Sequence, residues 1–286
     1  MQYYAVWNDI YGSRINADVL VSGDSKAWQQ VSPLILDTTL HVNSYNIGID
    51  GWYLPMQYAR LKIYLKHNKK PDYLIQNVDL YSFYDRDDLF NSEQFLPYLD
   101  DTIIKNVTAR YIGKFTFPEY YFPLFKYNNH LHLVKEGLFC YLNVGKRASN
   151  KLYKGFSGIT TGWNKDVEQL ERNNPNGLTR DVKSDLLLLF DDYLAFCRSK
   201  AIKVIFVFQP VLCEELPYEK NAAEIMNILK QYAAKYDIPY MDYSNDSLGY
   251  DRKYFVDYAH LNARGAELFS LEFARDLKNL IKPVVR

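Results

Sequence analysis

The stretch ADVLVSGDSKAW (residues 17–28) joins an apolar run, a turn and the start of a helical pattern. Continuous rather than alternating hydrophobicity over 17–22 is typical of a parallel strand that is covered on both faces. The run breaks at Gly23, Asp24 and Ser25 and then becomes helical, so the stretch predicts one β–α unit. Two roles are open for Ser25 at the end of this strand: a nucleophile, or a polar residue that caps the helix.

Four further apolar runs along the chain are each followed by a turn and a helical pattern. Together the runs predict strands at 17–22, 42–47, 73–78, 203–208 and 238–243, and helices at about 25–36, 54–67, 180–200, 218–236 and 262–281. Strands that alternate with helices imply right-handed crossovers. We therefore expect an α/β protein with a flavodoxin-like, three-layer α/β/α fold and a five-stranded parallel sheet, in a single domain over 1–286.

A long segment with weak periodicity, about 86–179, separates the third and fourth predicted strands. It is rich in aromatic residues, which crowd one stretch: Tyr111, Phe115, Phe117, Tyr120, Tyr121, Phe122, Phe125 and Tyr127. So long an insertion should carry its own structure or form a lid. We expect most of these rings to pack in a core or lid, and stacking on sugar rings is the alternative.

Composition excludes several classes of function. Lysine plus arginine equals aspartate plus glutamate at 34 each, so there is no excess of basic charge for nucleic acid. No apolar run reaches the roughly 18 residues of a membrane span. The three cysteines are scattered and form no C-x-x-C pair, and His130 and His132 lack a nearby acidic or cysteine partner in the sequence. We expect no metal, cofactor, nucleic acid or membrane span.

The segment YFVDYAHLNARGAELFS (254–270) follows the fifth predicted strand and carries Asp257 three residues before His260. A serine hydroxyl is a weak nucleophile unless a base removes its proton, and that base needs a third group to orient it. Functional groups of a parallel α/β sheet gather at the carboxyl ends of its strands, so these residues could meet Ser25. The alternative is a polar loop in which Asn262 caps the last helix.

The segment YNIGIDGW (45–52) follows the second predicted strand and contains Gly48 and Gly51. Acyl transfer builds negative charge on a carbonyl oxygen, which fixed N–H donors must stabilise. A glycine lets the backbone approach the reacting group closely. Alternatively, both glycines only shape a β–α turn.

These blocks, G-D-S, N-x-G-x-x-G and D-x-x-H in this order, resemble the SGNH (GDSL-like) hydrolases over roughly 17–83 and 200–281. The resemblance implies that Ser25 is the nucleophile, His260 the base and Asp257 its orienting acid, with the Ser25 and Gly51 N–H groups in the oxyanion hole. The family's G-x-N-D block, whose Asn side chain donates to the oxyanion, is replaced here by LIQNVDLYS (74–82). Asn77 is the nearest substitute for that third donor.

By the same resemblance the expected activity is that of a serine-dependent acyl-ester hydrolase without a cofactor, with a carbohydrate O-acetylesterase preferred. The substrate would be an acylated carbohydrate or another small ester. Two alternatives stay open: a polysaccharide O-acetyltransferase with the same triad, and a catalytically inert domain that binds glycan or a partner protein.

The blocks look most like the subgroup of the SGNH hydrolases tied to bacterial polysaccharide and cell-envelope O-acylation. That likeness implies an extracytoplasmic location, in the periplasm or at the cell surface, if a leader or anchor precedes this chain. Otherwise we expect a cytoplasmic protein.

Overall fold

The computed structural model describes residues 2–142, 152–164 and 166–282 and contains a five-stranded sheet. Its strands are β1 (Val19–Ser22), β2 (Ser44–Asn46), β3 (Tyr73–Asn77), β4 (Lys203–Phe208) and β5 (Tyr240–Asp242). All neighbouring strands are parallel, in the order β2-β1-β3-β4-β5. Each strand lies within a predicted run, and the strand order is that of flavodoxin-like sheets. The predicted fold class is confirmed.

The helices in chain order are α1 (Gln2–Tyr11), α2 (Ser25–Gln30), α3 (Pro33–Leu40), α4 (Leu54–His67), α5 (Thr102–Thr108), α6 (Phe117–Tyr121), α7 (Leu131–Tyr141), α8 (Asp166–Asn173), α9 (Ser184–Ser199), α10 (Glu215–Tyr218), α11 (Ala222–Tyr236) and α12 (Ala263–Asp276). Short 3₁₀ helices span Ser92–Tyr98, Phe125–Tyr127, Ser247–Tyr250, Arg252–Tyr254 and Leu277–Asn279. Among the described residues, none of these helices has both the length and the apolarity needed to traverse a bilayer.

Helices cover both faces of the sheet. Successive side chains of a strand point to opposite faces, and on one face Val21, Ile75 and Val207 belong to a buried apolar cluster with residues of α2, α3 and α12. On the other face Phe206 stacks against Phe190 of α9, with ring centroids 5.6 Å apart. The apolar residues of β1, β3 and β4 are therefore buried on both sides, whereas the edge strand β5 is only partly buried.

The helix predicted at 25–36 is divided into α2 and α3 by the proline at position 33. A residue that precedes proline is disfavoured in the α region, and Ser32 is extended, with φ −86° and ψ 113°. Pro33 then occupies the first turn of α3, where a missing backbone N–H is tolerated. The prediction of one continuous helix was wrong for this local reason.

The helix predicted at 218–236 is also interrupted, here by a long-range pairing. The Leu178 N–H donates to the Tyr218 carbonyl at 2.9 Å, and the Lys220 N–H donates to the Leu178 carbonyl at 2.7 Å. These bonds hold Glu219 in an extended conformation, so α10 ends before it and α11 begins at Ala222.

The chain divides into two compact units, one of which contains the whole sheet. The sheet unit comprises 5–85 and 152–286, and the second unit comprises 1–4 and 86–151, taken over their described residues. The predicted insertion at 86–179 is therefore shared, since 86–151 belongs to the second unit and 152–179 to the sheet unit. Most of the crowded aromatic rings were expected to pack in a core or lid. Of these rings, Tyr111 and Phe115 are buried, whereas Phe117, Tyr121, Phe122 and Phe125 are exposed.

Candidate active site

The turn between β1 and α2 requires a glycine. Gly23 has φ +146°, and a Cβ atom there would lie 2.6 Å from the Cβ of Asn77 and 2.8 Å from that of Ala27. Asp24 then caps α2, because its Oδ1 accepts the Lys26 N–H at 2.9 Å. The capping role that was the alternative for Ser25 is thus filled by Asp24, and Ser25 is the first residue of α2.

Ser25, His260 and Asp257 form one hydrogen-bonded chain. Ser25 Oγ lies 2.8 Å from His260 Nε2, and His260 Nδ1 lies 2.9 Å from each carboxylate oxygen of Asp257. When the His260 Nδ1–H donates a hydrogen bond to the Asp257 carboxylate, Nε2 carries no proton. Nε2 can then accept a hydrogen bond from the Ser25 hydroxyl. The structure therefore brings together the three residues that the sequence predicts as nucleophile, base and orienting acid.

The electrostatic surroundings of Asp257 keep it ionised. Burial by itself would raise the pKa of Asp257, but the hydrogen bond and charge of His260 and the backbone N–H groups of Ala259 and His260 outweigh it. Both N–H groups donate to Asp257 Oδ1 at 2.8 Å. The pKa of Asp257 consequently lies below its usual value, and the carboxylate can stabilise a positively charged imidazole.

The last helix begins directly after His260, as the alternative interpretation expected. Asn262 Oδ1 accepts the N–H groups of Arg264 and Gly265 at 3.1 Å each, which caps α12. The Val256 N–H donates to the His260 carbonyl at 2.8 Å and closes the loop. Capping by Asn262 and the contact of His260 with Ser25 coexist, since the cap fixes the backbone of the loop that carries the histidine.

The two glycines after β2 have different functions in the structure. A Cβ atom on Gly48 would lie 2.5 Å from the backbone nitrogen of Trp28, so this position packs against α2. The Gly48 N–H donates to Asn46 Oδ1 at 2.8 Å, and Asn46 Nδ2 donates to the Ala27 carbonyl at 2.6 Å. Gly51 has φ +68° and lines the cleft above the sheet. Of the two, Gly51 is the one that lines this cleft, and the Gly48 N–H is already bonded to Asn46.

The Asn77 side chain lies outside the lining of the cleft that contains Ser25. This buried side chain donates from Nδ2 to Asp24 Oδ1 at 3.1 Å and lines a small neighbouring cavity instead of the cleft that contains Ser25. Two residues further along, Asp79 reaches the cleft. Asp24, the residue that caps α2, is thus the partner of the Asn77 amide, and the role of Asn77 as an oxyanion donor stays a prediction.

A cleft of about 420 Å³ lies at the carboxyl ends of the strands. Each strand is followed by a residue of its lining: Ser25 after β1, Gly51 after β2, Asp79 after β3, Glu215 after β4 and His260 after β5. Ligands of open parallel sheets bind in this position, where the strand order changes direction. The cleft is therefore the candidate active site.

The floor of this cleft contains buried charges that sequence reasoning missed. Lys26, Asp79 and Glu215 are 2%, 3% and 3% exposed, and Lys26 Nζ lies 3.9 Å from Asp79 Oδ2. Burial raises the pKa of Glu215 to about 7, although the Lys26 charge opposes this shift. Burial would lower the pKa of Lys26, but the charges of Glu215, Asp79 and Asp24 outweigh it and raise that pKa. Lys26 is therefore a buried cation at neutral pH.

In the sequence, Lys26 has the pattern of an ordinary solvated helix residue, and Glu215 lies seven residues past the end of β4. Asp79 alone carried a usable signal, since it follows β3 by two residues. Convergence of the three depends on how the loops pack.

A cluster of three polar side chains lies in the second unit. His130 Nδ1 is 3.0 Å and His132 Nε2 is 3.5 Å from Glu93 Oε1. These three atoms lie close enough to hold a metal ion. The expectation that the two histidines lack an acidic partner was wrong, because Glu93 is distant in sequence. All three side chains are partly exposed and the His130–Glu93 contact is an ordinary hydrogen bond, so we assign no ion to them.

The strand order is that of a flavodoxin-like sheet, and the three motif blocks follow β1, β2 and β5. The fold is a flavodoxin-like, three-layer α/β/α fold with these blocks at the carboxyl ends of its strands. No family model and no curated protein matches the sequence.

Several solved structures are similar to this chain. An acetyl xylan esterase, AlAXEase, has 12% identity and a TM-score of 0.46, over 92% of this chain and 98% of its own. A GDSL-like lipase from Bacteroides thetaiotaomicron has 11% identity and a TM-score of 0.45, over 98% and 100%. An aryl esterase from M. smegmatis has 12% identity and a TM-score of 0.39, over 92% and 99%. Likeness at this level decides neither activity nor substrate.

Proposed function

We propose that this protein is a serine-dependent acyl-ester hydrolase. The observation that supports it most directly is the 2.8 Å distance between Ser25 Oγ and His260 Nε2, with Asp257 2.9 Å behind the imidazole. A serine within hydrogen-bond reach of a base that is itself oriented by a carboxylate is the arrangement that activates a hydroxyl nucleophile. An inert binding domain would have no need of this chain of contacts.

The proposed reaction uses these contacts in two steps. His260 Nε2 takes the Ser25 proton while Oγ attacks the ester carbonyl, and the oxyanion faces the Ser25 and Gly51 N–H groups. Collapse of the tetrahedral intermediate breaks the bond to the alcohol, which receives the proton from His260 Nε2. Water then attacks the acyl-enzyme with His260 as base, and the carboxylic acid is released. Asp257 holds the imidazole throughout and stabilises its charged form.

For the substrate we propose an acylated carbohydrate, with acetyl as the acyl group. The volume of about 420 Å³ suits a ligand the size of one or two sugar units. Tyr53 and Tyr81 both line the cleft and stack on each other, with ring centroids 6.1 Å apart, so aromatic rings lie beside the space that a sugar would occupy. If a sugar hydroxyl replaces water in the second step, the same residues perform O-acetyl transfer. Release of free acetate and transfer to an added glycan distinguish the two reactions.

The test is hydrolysis of p-nitrophenyl acetate together with covalent labelling by a fluorophosphonate. We expect wild-type turnover and labelling, and loss of both in Ser25→Ala. The thermal unfolding curve of the variant should stay close to that of the wild type, since only one half-buried hydroxyl is removed. Unchanged turnover and labelling in Ser25→Ala would overturn the proposal.

A further inference from the structure

Three polar atoms of the buried residues at the floor of the cleft lack a hydrogen-bond partner among the described residues. Within the described part of the chain, Lys26 Nζ, Asp79 Oδ2 and Glu215 Oε2 are shielded from solvent and have no hydrogen-bond partner. Lys26 Nζ and Asp79 Oδ2 lie 3.9 Å apart, which is an ion-pair distance but too long for a hydrogen bond. Buried polar atoms are normally paired, because an unmet donor or acceptor loses its interactions with water without compensation.

The three residues all line the same cleft as Ser25 and His260. An ammonium group offers three donors, and each carboxylate oxygen accepts hydrogen bonds. A hydroxyl group satisfies both kinds at once, since it donates to a carboxylate and accepts from an ammonium. The chemistry of the floor therefore suits a ligand with several hydroxyl groups.

The charges of the floor select against ionic ligands. A cationic ligand would meet the Lys26 ammonium, and an anionic ligand would meet Asp79 and the partly ionised Glu215. Like charges that meet in a site of low dielectric repel strongly. A neutral ligand avoids both penalties.

We infer that Lys26, Asp79 and Glu215 form a subsite that binds the hydroxyl groups of a neutral, polyhydroxylated ester such as a mono-acylated sugar. This inference rests on the proposed function, because the subsite would hold the alcohol part of the ester whose carbonyl Ser25 attacks. Lys26 and Glu215 are then specificity-determining residues. A network that only supports the loops would affect every ester equally.

Two acetate esters separate these possibilities. p-Nitrophenyl acetate has a leaving group without hydroxyls, whereas a mono-O-acetylated methyl xylopyranoside keeps two. In Glu215→Gln and Lys26→Met, kcat/KM for the sugar ester should fall at least about tenfold further than kcat/KM for the aryl ester, mainly through KM. Glu224→Gln, at an exposed position of α11, is the matched control and should leave the ratio of the two values unchanged.

A measurement on the wild type covers the case in which a variant does not fold. Methyl xylopyranoside should inhibit hydrolysis of p-nitrophenyl acetate competitively, and its fully O-methylated derivative, which lacks hydroxyls, should not. Equal inhibition by both compounds, or no inhibition by either, overturns the subsite. So does an unchanged ratio in folded variants.

The failure of the subsite and that of the proposed function give different results. If wild-type enzyme hydrolyses the aryl ester but the subsite tests fail, only the subsite is refuted. If wild-type enzyme hydrolyses neither ester and Ser25 is not labelled, the proposed function fails, and the subsite that rests on it fails with it.

Discussion

The two compact units of the chain treat similar residues in opposite ways. In the sheet unit the continuous apolar runs become strands, of which β1, β3 and β4 are buried on both faces, and polar residues collect at the strand ends. In the second unit aromatic residues are more frequent, yet Phe117, Tyr121, Phe122 and Phe125 are exposed. Apolar composition therefore does not predict burial unless the apolar residues recur at the spacing of a helix or strand.

The largest effect expected from this comparison concerns two histidines, one in each unit. His260→Ala should lower kcat by about 10⁶-fold, because the nucleophile and its base act as a unit. His132→Ala, in the second unit, should leave kcat within twofold. Steady-state hydrolysis of p-nitrophenyl acetate measures both. A comparable loss in the two variants would contradict the assignment of the chemistry to the sheet unit.

The next effect concerns packing in the two units. Phe269 of α12 is 0% exposed and stacks on Phe273 with ring centroids 5.5 Å apart, whereas Phe122 is 57% exposed. Phe269→Ala should reduce the free energy of unfolding by about 3–5 kcal/mol, because it leaves a cavity in the core. Phe122→Ala should change it by less than about 0.5 kcal/mol. Denaturant unfolding measures both, and equal losses would show that the exposed rings stabilise the fold as much as the core does.

The smallest effect concerns the buried charge of Glu215 in the sheet unit. Its pKa is raised from 4.5 to about 7, so between these values the folded protein binds more protons than the unfolded chain. As pH rises from about 4.5 to 7, the free energy of unfolding of the wild type should therefore fall relative to Glu215→Gln, by about 3 kcal/mol in total. Urea unfolding across this pH range measures the difference, with Glu224→Gln as control. A difference that does not vary with pH, as for the control, would contradict the prediction.

Sequence reasoning succeeded where the signal is local. The spacing of apolar residues located all five strands, and the helix over 54–67 has the predicted bounds. The motif blocks selected Ser25, His260 and Asp257 through their resemblance to a known family, and the carboxyl ends of parallel strands are where such groups gather. Where a local feature was overlooked, as with Pro33, a helix boundary was misplaced.

Sequence reasoning fell short where a side chain had more than one possible partner. Asn77 was expected at the oxyanion, and the contact of its amide with Asp24 was not foreseen. Glu93 was not expected near His130, because the two are 37 residues apart. Such choices depend on distances between loops, and no periodicity encodes them.

The amino-acid sequence predicted the sheet and the order of the motif blocks, since these follow from short-range patterns and a restricted set of topologies. It indicated Ser25, His260 and Asp257 only through the resemblance of those blocks to a known family. The set of polar side chains that line the cleft became known only from the tertiary structure. That structure assigned helix capping to Asp24, which leaves the Ser25 hydroxyl to His260, and it placed Lys26, Asp79 and Glu215 beneath them. The physical reason is that burial and pairing of polar groups arise from packing of segments distant in sequence.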